Sequence, residues 1–159
     1  MPRKKTKSLI RPIKPDRKYD SVLVQRLINR SMRDGKKASA EAAVYAGMEE
    51  AAKKLKIEDP LEVLETAFNN VCPGVEVKSK RIGGANYQIP FPVEGHRKGH
   101  LGMMWFVAAA RARKGMPYHK RLALEISDAY NQAGAAVKKK EDTHKTAEAN
   151  RAFAHFARF

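Results

Sequence analysis

The chain has 159 residues, of which 43% are hydrophobic, and its 32 Lys and Arg residues outnumber 17 Asp and Glu residues to give a net charge of +15. This length indicates one domain that buries a core without needing disulfides or a structural metal. The single cysteine excludes an internal disulfide and a cysteine-based zinc site. No apolar run is long enough to cross a membrane, and the basic N-terminus lacks the apolar segment of a secretory signal. We therefore expect a cytoplasmic protein with a polyanionic partner, for which nucleic acid is the best candidate.

The first 18 residues predict an extended basic arm. Residues 1–18 contain eight basic residues, three prolines and one acid, so we expect that they cannot pack against a core. Such a segment is either a disordered solubilising tail or an arm that phosphate contacts put in order, and its charge density favours the arm. Residues 19–159 are expected to form the folded domain.

Three helices are predicted next, from apolar residues at helical spacing. The first has a cap at Asp20 or Ser21 and ends at residues 34–35, and the second has a cap at Ser39. The second helix carries an apolar stripe that consists of Val44, Met48, Ala51, Ala52 and Leu55. The third helix begins at Asp59-Pro60, a capping residue followed by proline at the first helical position, and ends at Cys72-Pro73-Gly74.

The hydrophobic period then changes to two, which predicts a β-hairpin over residues 75–93. Alternating runs flank Gly83 and Gly84, the pair expected at the turn. Pro90 and Pro92 cannot donate ladder hydrogen bonds, so the second strand should face an open edge. The hairpin should protrude from the helical body, with Tyr87 either stacking on bases or packing across the strands.

Helical spacing returns after the hairpin and predicts three further helices. The fourth has an apolar stripe that consists of Leu101, Met104, Trp105, Ala108 and Ala112, and the fifth is expected to close at Gly134. The sixth should begin near Val137 and become apolar only towards Phe156. The fold class is therefore mainly α, a single domain of about six helices with a two-stranded hairpin between the third and fourth and a basic N-terminal arm.

Clusters of basic residues carry the strongest functional signal. Taken singly, each cluster is typical of a solvated surface, and the lysines of the sixth helix could form i,i+4 pairs with its acids. Their joint occurrence at turns, helix ends and the hairpin predicts contacts with phosphates. Outside the arm, the residues predicted to bind nucleic acid are Lys36, Lys37, Lys78, Lys80, Arg81, Arg97, Lys98, Arg111, Arg113, Lys114, Lys138, Lys139 and Lys140.

Catalytic and metal-binding interpretations are weak. His96 and His100 have i,i+4 spacing, yet no acidic or cysteine third ligand lies close in the sequence. Cys72 fits a buried thiol better than a nucleophile. We therefore predict no enzyme, no metal site and no cofactor or small-molecule substrate.

Four sequence strings resemble one family. They are PDRKYDSVLVQRLINRSMRDGKKASAE, VEVKSKRIGGANYQIP, WFVAAARAR and AVKKKEDTHKTAEANRAFAHF. In this order and spacing they are similar to the bacterial form of the ribosomal protein seven family of the small subunit, over nearly the whole chain. Arg17, residues 94–100 and Met104 depart from the family's usual pattern.

The resemblance implies a function and a set of partners. It implies binding to small-subunit ribosomal RNA that nucleates assembly of the subunit head, with small-subunit proteins nine and eleven as neighbours. The hairpin tip, Arg81, Ile82, Gly83, Gly84, Ala85 and Asn86, would lie near the exit-site tRNA and the mRNA. The arm residues implied in RNA binding are Arg3, Lys4, Lys5, Lys7 and Arg11. An architectural nucleic-acid-binding protein with a basic β-ribbon is the alternative, although the tip lacks the proline wedge of many such proteins.

Overall fold

The computed structural model describes residues 12–158, with side chains as far as Phe156. Its described part is mainly helical, with a β-hairpin between the third and fourth helices, which confirms the predicted fold class. The elements are α1 (Val22–Ser31), α2 (Lys37–Leu55), α3 (Pro60–Val71), β1 (Val75–Ile82), β2 (Ala85–Pro92), α4 (Gly95–Ala112), α5 (Tyr118–Tyr130), α6 (Gly134–Ala149) and a 3-10 helix (Arg151–Arg158).

Helix α5 lies at the centre of the helical body and packs against α2, α3, α4 and α6. The α2 stripe predicted from the sequence is buried except for Leu55, which is half-buried, and Val44 and Met48 are fully excluded from solvent. Gly47 allows the close approach of α2 to α5, because a Cβ atom at this position would lie 3.0 Å from the carbonyl oxygen of His119. The packing of α2 against α5 therefore forms the centre of the helical body.

The predicted helix caps are only partly correct. Asp59 caps α3 as expected, since its carboxylate accepts a hydrogen bond from the amide of Leu61 at 2.8 Å. The Ser39 cap is wrong, because the N-cap residue of α2 is Lys36, three residues earlier, and Ser39 lies inside the first turn. Ser21 is the N-cap residue of α1, but its side chain makes no capping hydrogen bond among the described residues.

The predicted apolar face of α4 is partly wrong. Ala108 and Ala112 are exposed and Trp105 is half-buried at the edge of the core, whereas Phe106 and Ala110 are fully buried. The sequence from 101 to 110 is apolar on nearly every side, so its periodicity does not fix which side faces the body. The contacts of α4 with the rest of the body determine which of its sides is buried.

The boundary between α5 and α6 also differs from the prediction. Gly134 begins α6 rather than closing α5, and its φ of +92° is the left-handed conformation that glycine adopts without strain. The predicted apolar end of the sixth helix is instead the separate 3-10 helix. Phe153 and Phe156 of this segment pack on Tyr87 of the hairpin, with ring centroids at 5.1 and 5.6 Å.

The hairpin has a continuous antiparallel register from Val75↔Pro92 to Ile82↔Ala85. Its turn residues Gly83 and Gly84 both have positive φ, as the glycine pair predicted. The base is held by the body, since Ile89 is fully buried and β1 packs against α6, while the tip is largely exposed. Within the described residues, none of the helices has the length and apolarity to cross a membrane.

Candidate nucleic-acid interface

A broad basic surface surrounds α1. Three adjoining depressions of the surface lie between α1, the segment that precedes it, the start of α2 and both ends of α4. Among the described residues that line them, nine are lysine or arginine and only Glu41 carries a carboxylate. We call this the α1 surface, and its cations are Lys14, Arg17, Arg26, Arg30, Arg33, Lys36, Lys37, Arg111 and Arg121.

Three arginines of the α1 surface come from α1 and the turn after it. Arg26, Arg30 and Arg33 are exposed, while Val24 and Ile28 of α1 are buried. Spacings of four and three residues keep successive side chains on one side of a helix. These arginines were not predicted from the sequence, because they are not adjacent to one another; their spacing opposite the apolar stripe is the signal that could have identified them.

The segment before α1 is anchored to the body, which contradicts the expectation that residues up to 18 cannot pack against it. Asp16 is buried and accepts hydrogen bonds from the amides of Lys18, Tyr19 and Ser21 and from the Tyr45 hydroxyl. Burial alone would raise the pKa of the Asp16 carboxyl, but these hydrogen bonds outweigh it and hold the pKa below its ordinary value. The ionised carboxylate fixes the turn that brings Lys14 and Arg17 beside α1.

Arg111 and Arg121 are held in place by backbone carbonyl groups. Arg111 Nη2 donates to the carbonyl oxygens of Arg30 and Ser31 at 3.2 and 3.3 Å, at the end of α1. Arg121 Nη1 donates to the carbonyl oxygens of Arg111 and Arg113 at 3.2 and 3.0 Å. Neither guanidinium charge is cancelled by a carboxylate among the described residues, so both contribute positive potential to the α1 surface.

Arg113 was predicted to bind RNA, but the structure gives it an internal role. Its guanidinium pairs with Glu125, which is fully buried, and with Asp128. Burial lowers the pKa of Arg113, but the two carboxylates more than compensate and raise it overall. The charge of Arg113 is therefore neutralised by α5 and does not add to the positive potential of the α1 surface.

The basic residues near the hairpin base are also partly neutralised. Glu76 lies between Lys78 and Arg97, with nitrogen–oxygen distances of 2.7 and 2.9 Å. The Lys78 ammonium also lies 5.1 Å from the centre of the Phe91 ring. Because Glu76 offsets part of this charge, the base of the ribbon is less strongly cationic than its sequence indicates. Tyr87 packs on the rings of Phe153 and Phe156.

The other predicted residues lie apart from the α1 surface. Lys140 donates to the carbonyl oxygen of Asn70 at 2.7 Å, whereas Lys138 and Lys139 are exposed beside carboxylates of α6. Lys98 and Lys114 are exposed towards the two ends of α4, Lys80 is half-buried, and Arg81 is exposed at the hairpin tip. Arg3, Lys4, Lys5, Lys7 and Arg11 lie outside the described residues.

The two histidines with i,i+4 spacing lie in the α1 surface. His96 and His100 line the α1 surface beside Arg26 and Arg30. Within residues 12–158, no group of three or more His, Cys, Asp or Glu side chains is arranged to hold a metal ion. Burial raises the pKa of the Cys72 thiol, which disfavours the thiolate form that a nucleophile requires.

The sequence matches one protein family over nearly its whole length. The family described as ribosomal protein S7p/S5e matches residues 2–151. The small ribosomal subunit protein uS7 of Chloroflexus aggregans is 53% identical over 148 residues, which cover 93% of this chain and 94% of that protein. The protein of the same name from Dictyoglomus thermophilum is 55% identical over 146 residues, covering 92% and 93% of the two chains. A basic surface on a helical body with a protruding hairpin, together with this identity over nearly the whole length, shows that the chain belongs to the ribosomal protein S7p/S5e family.

Proposed function

We propose that this chain binds small-subunit ribosomal RNA directly through the α1 surface and nucleates assembly of the subunit head. Family membership makes it a structural protein of the small ribosomal subunit rather than an enzyme. The observation that carries the RNA-binding proposal is the α1 surface itself, where nine cations are accompanied by one carboxylate among the described lining residues. Such an excess of positive charge favours a densely charged polyanion.

The proposed interface has two further parts. The basic residues of 1–11 add five positive charges next to the anchored segment that leads into α1. Lys98, Lys114, Lys138 and Lys139 are exposed and provide additional contacts with phosphates. Proteins nine and eleven of the small subunit are the proposed protein neighbours.

The hairpin tip has a separate proposed role near the exit-site tRNA and the mRNA. Residues 82–86 carry no charge and include two glycines, so they allow close approach to another backbone but supply little affinity for phosphate. Arg81, which precedes them, is exposed. We therefore assign assembly to the body and the arm, and a later step on the translating ribosome to the tip.

The RNA-binding proposal is tested by comparing two double variants of the full chain. Arg26→Gln with Arg30→Gln removes two charges from the α1 surface, and Lys53→Gln with Lys54→Gln removes two exposed charges at the far end of α2. Affinity for a small-subunit rRNA junction should fall at least tenfold for the first variant and little for the second. Equal affinities would overturn the assignment of the α1 surface, and tighter binding to duplex DNA than to the RNA at equal salt would favour the architectural alternative.

The division between body and hairpin is tested by two deletions. Removing residues 82–86 should leave incorporation into small subunits unchanged while increasing frameshifting by the ribosomes that contain the protein. Removing residues 1–11 should weaken incorporation. The opposite pattern, with the tip needed for incorporation and the arm dispensable, would contradict the proposed division.

A further inference from the structure

Within the α1 surface, one cleft differs from the rest because two of its arginines are held by hydrogen bonds to backbone carbonyl groups. It has a volume of about 270 Å³ and lies where the end of α1, the start of α2 and the start of α5 meet. Arg33, Lys36, Arg111 and Arg121 line it, and none of its lining residues carries a carboxylate. Four converging cations without an internal counter-ion leave a local excess of positive charge that an anion would relieve.

Two of these cations are preorganised. Arg111 is tied to the last carbonyl groups of α1. Arg121 is tied to the carbonyl groups of Arg111 and Arg113 at the end of α4, and its guanidinium lies 5.8 Å from the centre of the Tyr118 ring. The Nε of Arg121 is buried and has no hydrogen-bond partner among the described residues. Side chains that are already fixed lose little conformational entropy when they bind a ligand.

Neutral hydrogen-bonding groups complete the cleft. Tyr118 Oη and Ser31 Oγ are 2.7 Å apart, and burial raises the pKa of the Tyr118 phenol, so the hydroxyl stays protonated beside the arginines. The cleft also reaches the first turn of α2, where the N-cap residue Lys36 makes no side-chain capping hydrogen bond among the described residues. Amide groups of a first helical turn favour a negative charge.

We propose that this cleft binds a single phosphate group of the RNA backbone, with the exposed Arg33 and Lys36 closing over the fixed Arg111 and Arg121. The inference rests on the proposed function, because the phosphate is taken to come from the ribosomal RNA. A phosphate fits better than a base, because the cleft offers several charged donors and the aliphatic side chains that line it are the small Ala40 and Ala43. The ring of Tyr118 also lines the cleft, but the Arg121 guanidinium already lies 5.8 Å from its centre. The cleft thus fixes the register of the protein on its RNA.

The first test uses Arg33, which is exposed, so that its replacement leaves the core intact. Arg33→Gln should bind a small-subunit rRNA junction about tenfold more weakly and lower the slope of log affinity against log salt by about one. Arg33→Lys should keep the slope but lose part of the affinity, because lysine cannot bind phosphate with a two-pronged fork. Lys54→Gln is the control of equal charge and should match the wild type.

The second test reports on the cleft itself and separates a phosphate of RNA from free phosphate. In NMR spectra of the full chain, the side-chain Nε–Hε signals of Arg33, Arg111 and Arg121 should shift together and saturate on titration with inorganic phosphate. The same signals should move with the RNA junction at far lower ligand concentration. Shifts that are linear in phosphate and shared by all arginines would show general screening and overturn the proposal.

The outcomes also distinguish this inference from the proposed function. If the wild-type chain bound the rRNA but Arg33→Gln bound it equally well, the cleft assignment would fail and the proposed function would stand. If the wild-type chain did not bind the rRNA at all, the proposed function would fail and the RNA source of the phosphate would fail with it.

Discussion

Arg113 and Glu125 form a two-pronged ion pair in which Nε and Nη2 of the arginine donate to the same carboxylate oxygen, Oε2, at 2.9 and 2.7 Å. The other carboxylate oxygen of Glu125 accepts a hydrogen bond from the amide of Ala136 at 3.0 Å, in the first turn of α6. One fully buried carboxylate thus joins the end of α4, the middle of α5 and the start of α6. The charge of Arg113, which the sequence predicted to contact RNA, is thus paired within the fold.

Glu125→Gln should destabilise the fold by about 3 kcal/mol, because it removes the charge that pairs with a largely buried guanidinium. Asp128→Asn is the matched control and should cost less than about 1 kcal/mol, since the side chain of Asp128 is 35% exposed. Urea unfolding of the full chain measures both free energies. Equal costs would mean that Glu125 is not the principal partner of Arg113.

The ion pairs of Glu76 at the base of the hairpin should make the stability of the fold sensitive to acid. Burial raises the pKa of its carboxyl, but hydrogen bonds from Lys78 and Arg97 outweigh burial and bring the pKa below its ordinary value of 4.5. Because the pKa is lower in the folded state, the stabilisation is fully present above about pH 4.5 and is lost as the pH falls through the folded-state pKa.

Glu76→Gln should therefore flatten the decrease in the free energy of unfolding below about pH 4.5 relative to the wild type. Glu58→Gln, at an exposed position between α2 and α3, is the control and should leave the acid limb unchanged. Chemical unfolding at a series of pH values gives the comparison. Identical acid limbs for Glu76→Gln and the wild type would refute the linkage.

Gly102 and Cys72 pack so closely that adding a methyl group at Gly102 should destabilise the fold. A Cβ atom at Gly102 would lie 2.7 Å from the sulfur of Cys72, so Gly102→Ala should cost about 1–3 kcal/mol. Adding Cys72→Ala removes the sulfur and should recover most of that loss. Gly99→Ala, where a Cβ atom meets nothing within 4 Å, should instead be neutral or slightly stabilising in thermal unfolding.

Tyr87 should hold the 3-10 helix Arg151–Arg158 against the hairpin. Tyr87→Ala removes two aromatic contacts, each worth about 0.5–1.5 kcal/mol. Hydrogen exchange at the Phe153 amide, which donates to the carbonyl oxygen of Asn150, should become faster while α5 stays protected. Phe91→Ala is the control on the same hairpin; an equal effect from it would assign the change to general loosening of the ribbon.

The fold was predictable wherever the local signals were unambiguous. The α2 stripe, the Asp59-Pro60 start of α3 and the Gly83-Gly84 turn each require one local structure, and each is confirmed. The face of α4 was not predictable in the same way, because its sequence is apolar nearly all round. The 3-10 helix was missed because its aromatic rings pack on a strand more than 60 residues earlier in the chain.

The candidate site was only partly predictable for a similar reason. Clusters of adjacent basic residues drew attention to Arg97 and Arg113, whose carboxylate partners lie 21 and 12 residues away and are not visible in a local pattern. Arg26 and Arg30 were overlooked because they are not adjacent in the sequence, although their spacing of four residues places them on one side of the predicted first helix. Charge identified the class of partner, and the tertiary structure determined which charges remain available to it.

The most direct test of RNA binding by the α1 surface is the salt dependence of its affinity for a small-subunit rRNA junction. For contacts with roughly six to ten phosphates, the affinity of the wild type should fall about a thousandfold or more between about 50 and 200 mM salt. In the variant with Arg26→Gln and Arg30→Gln, the slope of log affinity against log salt should be reduced by about two. A nearly flat salt dependence, or a slope that the double variant leaves unchanged, would contradict the account.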